Sequence, residues 1–268
     1  MRRVAVATVA SALVILSVLP AAADWDVGDD YKMHYPQLPD PQGWDIRCTL
    51  AGVGVRLTLA DDWQCRQSGD VTDIHFWFSV REDFLPSAPL AGEIAYFSIY
   101  EDVPADQSET GYSMPGEVLW SSPFSPDQVA VRHWGMGLQG WYDPIADPAL
   151  VVPNDHHNIY QANIEGIASP FYQEAGNTYW LGLTILTMEP QSPEYGWKTS
   201  RDHWNDAAVY DFGPVIPDDP VFWRELREPA TGAAFDLAFV IVPEPSTLAM
   251  LLAAGLAGAL AWMWRRRS

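Results

Sequence analysis

Over most of the chain, apolar and polar residues alternate with a period of two, the spacing of a strand with distinct faces. From Val71 to Val80, Ile74, Phe76, Phe78 and Val80 fall on one face and Asp73, His75, Trp77 and Ser79 on the other. Thr178–Thr187 sets Tyr179, Leu181, Leu183 and Ile185 together, and Phe235–Ile241 does the same with Phe235, Leu237, Phe239 and Ile241. Glu93–Tyr100 is a run of aromatic and β-branched residues, and shorter strands are predicted at 53–59, 117–120 and 158–164. Turn-forming segments at 83–89 and 102–116 separate them. Helical periodicity is absent away from the termini, and no repeat is found. The predicted class is therefore all-β: a single β-sandwich, with a jelly roll as one specific form.

Both termini break this pattern. Arg2 and Arg3 precede an apolar run from Val4 to Leu19, then Pro20 and Ala21-Ala22-Ala23, the layout of a secretory signal peptide cleaved before Asp24. An uncleaved N-terminal anchor is the alternative. At the other end, Val242-Pro243-Glu244-Pro245-Ser246-Thr247 leads into an apolar stretch, Leu248–Trp264, and then Arg265-Arg266-Arg267-Ser268. Seventeen apolar residues stand at the short end of what spans a bilayer. Trp262 and Trp264 suit the interface, and the arginines suit the cytoplasmic side. The organisation that follows is a signal peptide (1–23), a loosely structured lead-in and first strand (24–57), a β-sandwich domain (58–241) and a C-terminal signal with a transmembrane segment (242–268).

The C-terminal triad of Val-Pro-Glu-Pro, short span and arginine cluster resembles the PEP-CTERM sorting signal. That resemblance implies recognition by an exosortase, an intramembrane cysteine-protease-like enzyme, with Val242, Pro243, Glu244 and Pro245 as the sorting motif. It also implies transient anchoring in the inner membrane, removal of the span, and delivery to the cell surface or an exopolysaccharide matrix. An ordinary C-terminal anchor is the alternative. Signal peptidase and the secretion machinery are the other implied partners. More weakly, Leu59-Ala-Asp-Asp-Trp63, Asp73-Ile-His-Phe-Trp77, Tyr195-Gly-Trp-Lys-Thr-Ser200, His203-Trp-Asn-Asp206 and Asp236-Leu-Ala-Phe-Val-Ile241 together resemble an uncharacterised exported domain of planctomycete PEP-CTERM proteins. That likeness carries no activity.

Charge sharpens the picture. The whole chain has a formal charge of -20, but residues 24–242 hold ten cations against 34 carboxylates. A body at -24 is unsuited to nucleic acid, whose phosphates need clustered cations. The two cysteines, Cys48 and Cys65, are expected to form one disulfide in an oxidising compartment, with two free buried thiols as the alternative.

Candidate chemistry is thin. Asn154-Asp155-His156-His157-Asn158 reads as a polar loop entering a strand; adjacent strand residues point opposite ways, so the two histidines do not suit one metal. Ser200 and His203 invite a nucleophile–base reading, yet no Gly-x-Ser-x-Gly elbow surrounds the serine. No cofactor is required; structural calcium is conceivable at Asp29-Asp30, Asp61-Asp62 or Asp218-Asp219, outside any EF-hand pattern. Eleven of thirteen tryptophans belong to the body. Trp77 and the group Trp134, Trp141 and Tyr142, set around a Gly-rich loop at 135–140, are the candidates for a glycan platform. Two functions remain: a non-enzymatic surface or matrix protein with a structural or exopolysaccharide-binding body, which the sorting signal favours, and an exported polysaccharide hydrolase using paired carboxylates.

Overall fold

The computed structural model describes residues 24–51, 55–85, 87–187, 192–214 and 221–242. The predicted signal peptide and everything after Val242, including Pro243, Glu244, Pro245 and the predicted span, lie outside them. No helix among the described residues is long and apolar enough to cross a membrane.

The described residues are nearly all-β. In chain order the strands are β1 (Trp44–Arg47), β2 (Thr49–Ala51), β3 (Val55–Gln64), β4 (Gly69–Val71), β5 (Asp73–Val80), β6 (Glu93–Val103), β7 (Met114–Phe124), β8 (Ala130–Asp143), β9 (Leu150–Ile164), β10 (Phe171–Gln173), β11 (Thr178–Thr187), β12 (Tyr195–Lys198), β13 (Val209–Pro214), β14 (Arg224–Glu225) and β15 (Phe239–Val242). One large sheet runs β14-β13-β3-β11-β6-β7, with β2 also on β11. The other runs β12-β1-β8-β9-β5-β15, and β4 and β10 form a small ribbon. The two sheets meet through aromatic side chains: Phe76 on β5 packs edge-on against Phe97 on β6 at 5.5 Å, and Trp63 on β3 against Phe239 on β15 at 6.2 Å. The arrangement is sandwich-like.

The second sheet does more than face the first. β5 pairs with β9 on one edge; β15 and then β12 follow one another along the other. β12 pairs with β1, β1 runs parallel to β8, and β8 pairs with β9. Apart from the β15 pairing, the five others return to their start, so β5, β9, β8, β1 and β12 form a closed hydrogen-bonded ring. That closure explains why both faces of β5 are buried. Ile74, Phe76, Phe78 and Val80 face the other sheet as the alternation predicts, while His75, Trp77 and Ser79 are covered as well. Full closure also removes the exposed edges of the strands involved.

Several expectations change. The lead-in is not loose: Met33 and Gln37 are fully buried and bridge to Cys65 and Phe239, because this segment covers the open edge beside β15 and β3. The supposed Gly-rich loop at 135–140 is inside β8, and the 154–158 segment is inside β9. Glycine is needed there for approach: a Cβ on Gly137 would overlap the backbone carbonyl of Pro41 in the lead-in.

The disulfide is also corrected. Both cysteines are free and buried. Cys48 O accepts from Ile185 N, whereas Cys65 N donates to Asn177 O. Eight residues of extended β11 separate those anchors, about 26 Å at the strand rise, far beyond the ~7 Å Cα limit for a disulfide. Two thiols per chain are therefore expected to react with a maleimide in denaturant without reductant. A count of zero would restore the bridge.

Candidate functional site

The interior of the ring holds a chain of buried charges. Alternation along the strands points Asp45 (β1), Ser79 (β5), Gln139 and Trp141 (β8), His156 (β9) and Lys198 (β12) into it. Asp45 and Lys198 are direct cross-strand partners. Asp45 Oδ2 accepts from Lys198 Nζ at 2.9 Å and lies 2.8 Å from His156 Nε2. His156 Nδ1 lies 2.9 Å from Asp155 Oδ2, and Ser79 donates to Gln139 at 3.0 Å. The side chains of Asp45, His156 and Lys198 have no solvent exposure. Gly196 permits this packing, since any Cβ there would press on the Trp141 ring and Asp45 at 2.8 Å.

Burial would raise the Asp45 carboxyl, but Lys198 and His156 beside it outweigh that and hold it below the usual range. Burial would lower His156, but the Asp45 and Asp155 carboxylates win and raise it. Lys198 is lowered by burial, which Asp45 only partly offsets. Two anions thus face two cations, as a dry interior requires.

The direction for His156 has a consequence for stability. Folded His156 keeps its proton to higher pH than the unfolded chain, so its contribution is complete below about pH 6.5 and is lost as pH rises through its raised value. His34, lowered to about 3, and His75 are depressed by burial and act in the opposite sense, but only below the unfolded value. Above about pH 6.5, stability is expected to fall by up to about 1.4 kcal/mol per pH unit per proton until His156 has lost its proton in the folded state. His156→Gln should flatten that limb in urea melts; an equally steep limb in the variant would assign it to another group.

A second polar node forms where the lead-in meets β3 and the segment before β15. Asp61 Oδ2 accepts from Gln37 Nε2 at 2.8 Å and Leu237 N at 2.6 Å, and its Oδ1 accepts from Asp62 N. The same Gln37 amide lies 3.3 Å from Asp236 Oδ2, which also accepts from Trp204 N at 2.6 Å. Asp236 Oδ1 pairs with His203 Nδ1 at 2.6 Å, and Asp62 Oδ2 accepts from Asn205 Nδ2 at 2.6 Å. Burial, then the neighbouring carboxylates, push Asp61 well above the carboxylate range; burial does the same to Asp62. Asp236 rises to about 6 through burial, against the bonds from Trp204 and His203. Gln37, Asp61, Asp62 and Asp236 are all fully buried, so no substrate reaches the carboxylates.

Other sequence candidates are placed as follows. Trp77 and Trp141 are fully buried and cannot offer a face to a sugar; closure of the ring covered them. Trp134 and Tyr142 are half-buried, Trp134 edge-on to Trp77 at 6.1 Å. None of the eleven body tryptophans is exposed. Ser200 Oγ donates to Leu38 O, while His203 turns to Asp236, so the two form no nucleophile–base pair. His156 points inward and His157 outward to Asp83, as alternation requires. Among the described residues no group of three or more His, Cys, Asp or Glu is arranged to hold a metal. Asp218-Asp219 lies outside them.

Asp45 and Gln37 were not singled out by the sequence reading, which took Lys198 only as a brace of the core. One signal was there: the chain has thirteen arginines and only two lysines, and Lys198 sits in an otherwise apolar strand.

Residues 33–242 match the family described as Domain of unknown function (DUF7901). The chain belongs to that family. The match begins within the lead-in, in keeping with its buried place in the fold, and not at residue 58. The DUF7901 segments Leu59–Trp63, His203–Asp206 and Asp236–Ile241 are those that converge on the Asp61–Asp236 node. Residues 242–267 match the PEP-CTERM protein-sorting motif, which implies export, membrane-anchored processing and recognition by an exosortase. No curated protein and no solved structure matches the chain.

Proposed function

We propose that this DUF7901 protein is a non-enzymatic structural component of the cell surface or extracellular matrix, released there after exosortase processing. The observation that carries the reading is the inward direction of its polar chemistry. Of the groups that resemble catalytic sets, Asp45–His156–Lys198 lies wholly inside the fold, and Asp61 and Asp236 are buried and joined through Gln37, with His203 capping Asp236 from the surface. The sorting signal supports the location.

Glycan contact belongs in this reading on the outer face of the larger sheet. There Ile94, Tyr96 and Val118 are exposed, next to a shallow cleft lined by Arg56, Tyr100, Asp211 and Trp223. Apolar side chains beside charged groups suit a sugar ring, which has an apolar face and a polar rim.

The test is a panel of polysaccharides incubated with the purified body, read both for retention and for release of reducing ends. Retention without turnover, weakened by Tyr96→Ala, is the expected result. Turnover abolished by one carboxylate substitution would establish the hydrolase instead. Mass spectrometry of the mature C-terminus checks the processing step: a product still carrying Arg267 would refute it.

A further inference from the structure

We propose that Lys198 and Asp45 become joined by an amide bond between Lys198 Nζ and Asp45 Cγ, formed by the fold itself with loss of one water. The cross-link would staple β12 to β1, two strands far apart in sequence.

The geometry is that of a reactive pair. The two residues are opposite each other in the β1–β12 register, and neither side chain touches solvent. A nitrogen 2.9 Å from Oδ2 lies about 3–4 Å from the carboxyl carbon, near attack distance. A third group completes the set: His156 Nε2 is 2.8 Å from the same Oδ2, and Asp155 holds its other nitrogen. Oδ2 is therefore the oxygen placed to leave, with a proton donor on it. Oδ1, which would become the amide oxygen, has no partner, and neither do the side-chain N–H groups of Gln139 and Trp141 in the same interior. Trp141 is the register partner of Asp45 across β1 and β8.

The step balances. A proton moves from Lys198 Nζ to Oδ2 within the ion pair, leaving a neutral amine and a neutral acid. The amine lone pair attacks Cγ, and the N–C bond forms. His156 gives its proton to the departing oxygen and takes one back from Nζ, so it ends as it began. The Cγ–Oδ2 bond breaks, Oδ2 leaves as water, and one hydrogen remains on the amide nitrogen. No oxidant or co-reactant is needed. A desolvated amine is the better nucleophile, and exclusion of bulk water opposes the return hydrolysis. The reaction removes one anion and one cation together, leaving His156 paired with Asp155.

The choice of residue points the same way. Arginine is the better partner for a purely electrostatic contact with a carboxylate, and this chain uses thirteen of them against two lysines. Only lysine can form the amide. With its cysteines unpaired, the body has no other covalent tie among the described residues.

The experiment is mass spectrometry on the wild-type protein after export and purification. The expected result is a mass about 18 Da below the sequence value for its termini, since a dehydration is a covalent change. A tryptic digest should contain a branched species joining 33–47 to 133–201, because linked Lys198 resists cleavage. Amine labelling in denaturant should count one ε-amine, not two. Full mass, two labelled ε-amines and ready cleavage after Lys198 would overturn the proposal. Lys198→Arg should restore the missing water; a persistent deficit would place the dehydration elsewhere and also overturn it. His156→Gln should leave a measurable unlinked fraction, and complete linkage in that variant would remove His156 from the step.

Discussion

Replacing Asp45 by alanine is expected to destabilise the domain by about 3–5 kcal/mol, the usual cost of removing one member of a buried charge set. Before any amide forms, the carboxylate neutralises Lys198 and supports the proton on His156, and the variant loses both that pairing and the cross-link. Without it, an ammonium group with no solvent exposure keeps only a long contact, 3.4 Å, to Trp44 O. A small domain has only about 5–15 kcal/mol in total, so the variant should unfold early in a urea titration. Its cause can be separated from simple loss of volume. In the double variant Asp45→Ala with Lys198→Met the stranded charge is gone and the methionine fills similar space. That protein should unfold at higher urea than Asp45→Ala alone. If the double variant were weaker than the single, the stranded ammonium would not be the source of the loss.

Trp197→Ala is the second large effect, about 3–5 kcal/mol for truncating a buried aromatic. Trp197 is fully buried, packs edge-on against Phe76 at 6.4 Å and Phe239 at 6.0 Å, and donates its indole N–H to Ala238 O at 2.9 Å. Truncation opens a cavity between the sheets and leaves that carbonyl without its donor. Trp134→Ala removes the same side chain from a half-buried site and should cost clearly less. Thermal melts of the two variants side by side provide the comparison. Equal losses would contradict the placement of Trp197 at the junction of the sheets.

Individual strands were readable from alternation because the signal is local. The predicted Thr178–Thr187 strand is β11 to the residue, and the 93–100 strand is the first part of β6. Ile74, Phe76, Phe78 and Val80 do share the core-facing side of β5. The errors arose where a polar residue is buried. Asp61-Asp62 fell beyond the predicted 53–59 strand, yet both lie within β3 and are buried. Residues 135–140 looked like a loop because glycine is common in loops; here glycine lets Pro41 lie against β8. The tryptophans looked like a binding platform because indoles serve both cores and ligands, and a single sequence does not distinguish the two. The candidate site was legible only in fragments. His156 and Asp155 drew notice as a cluster, whereas Asp45 and Lys198 stand 153 positions apart in chain numbering.

What the sequence alone determined is local in origin: which segments extend, that the C-terminus carries a sorting motif, and that the body is strongly acidic. Period-two patterning, tripartite signals and charge counts need no knowledge of neighbours. The tertiary structure decided the rest, because burial depends on pairing across long separations. The parallel meeting of β1 with β8 and the return of β12 to β5 close the ring, and closure buries the second face of β5. That act turns Trp77 and Trp141 into core, brings Asp45, His156 and Lys198 within hydrogen-bond distance, and carries Cys48 and Cys65 to opposite ends of β11.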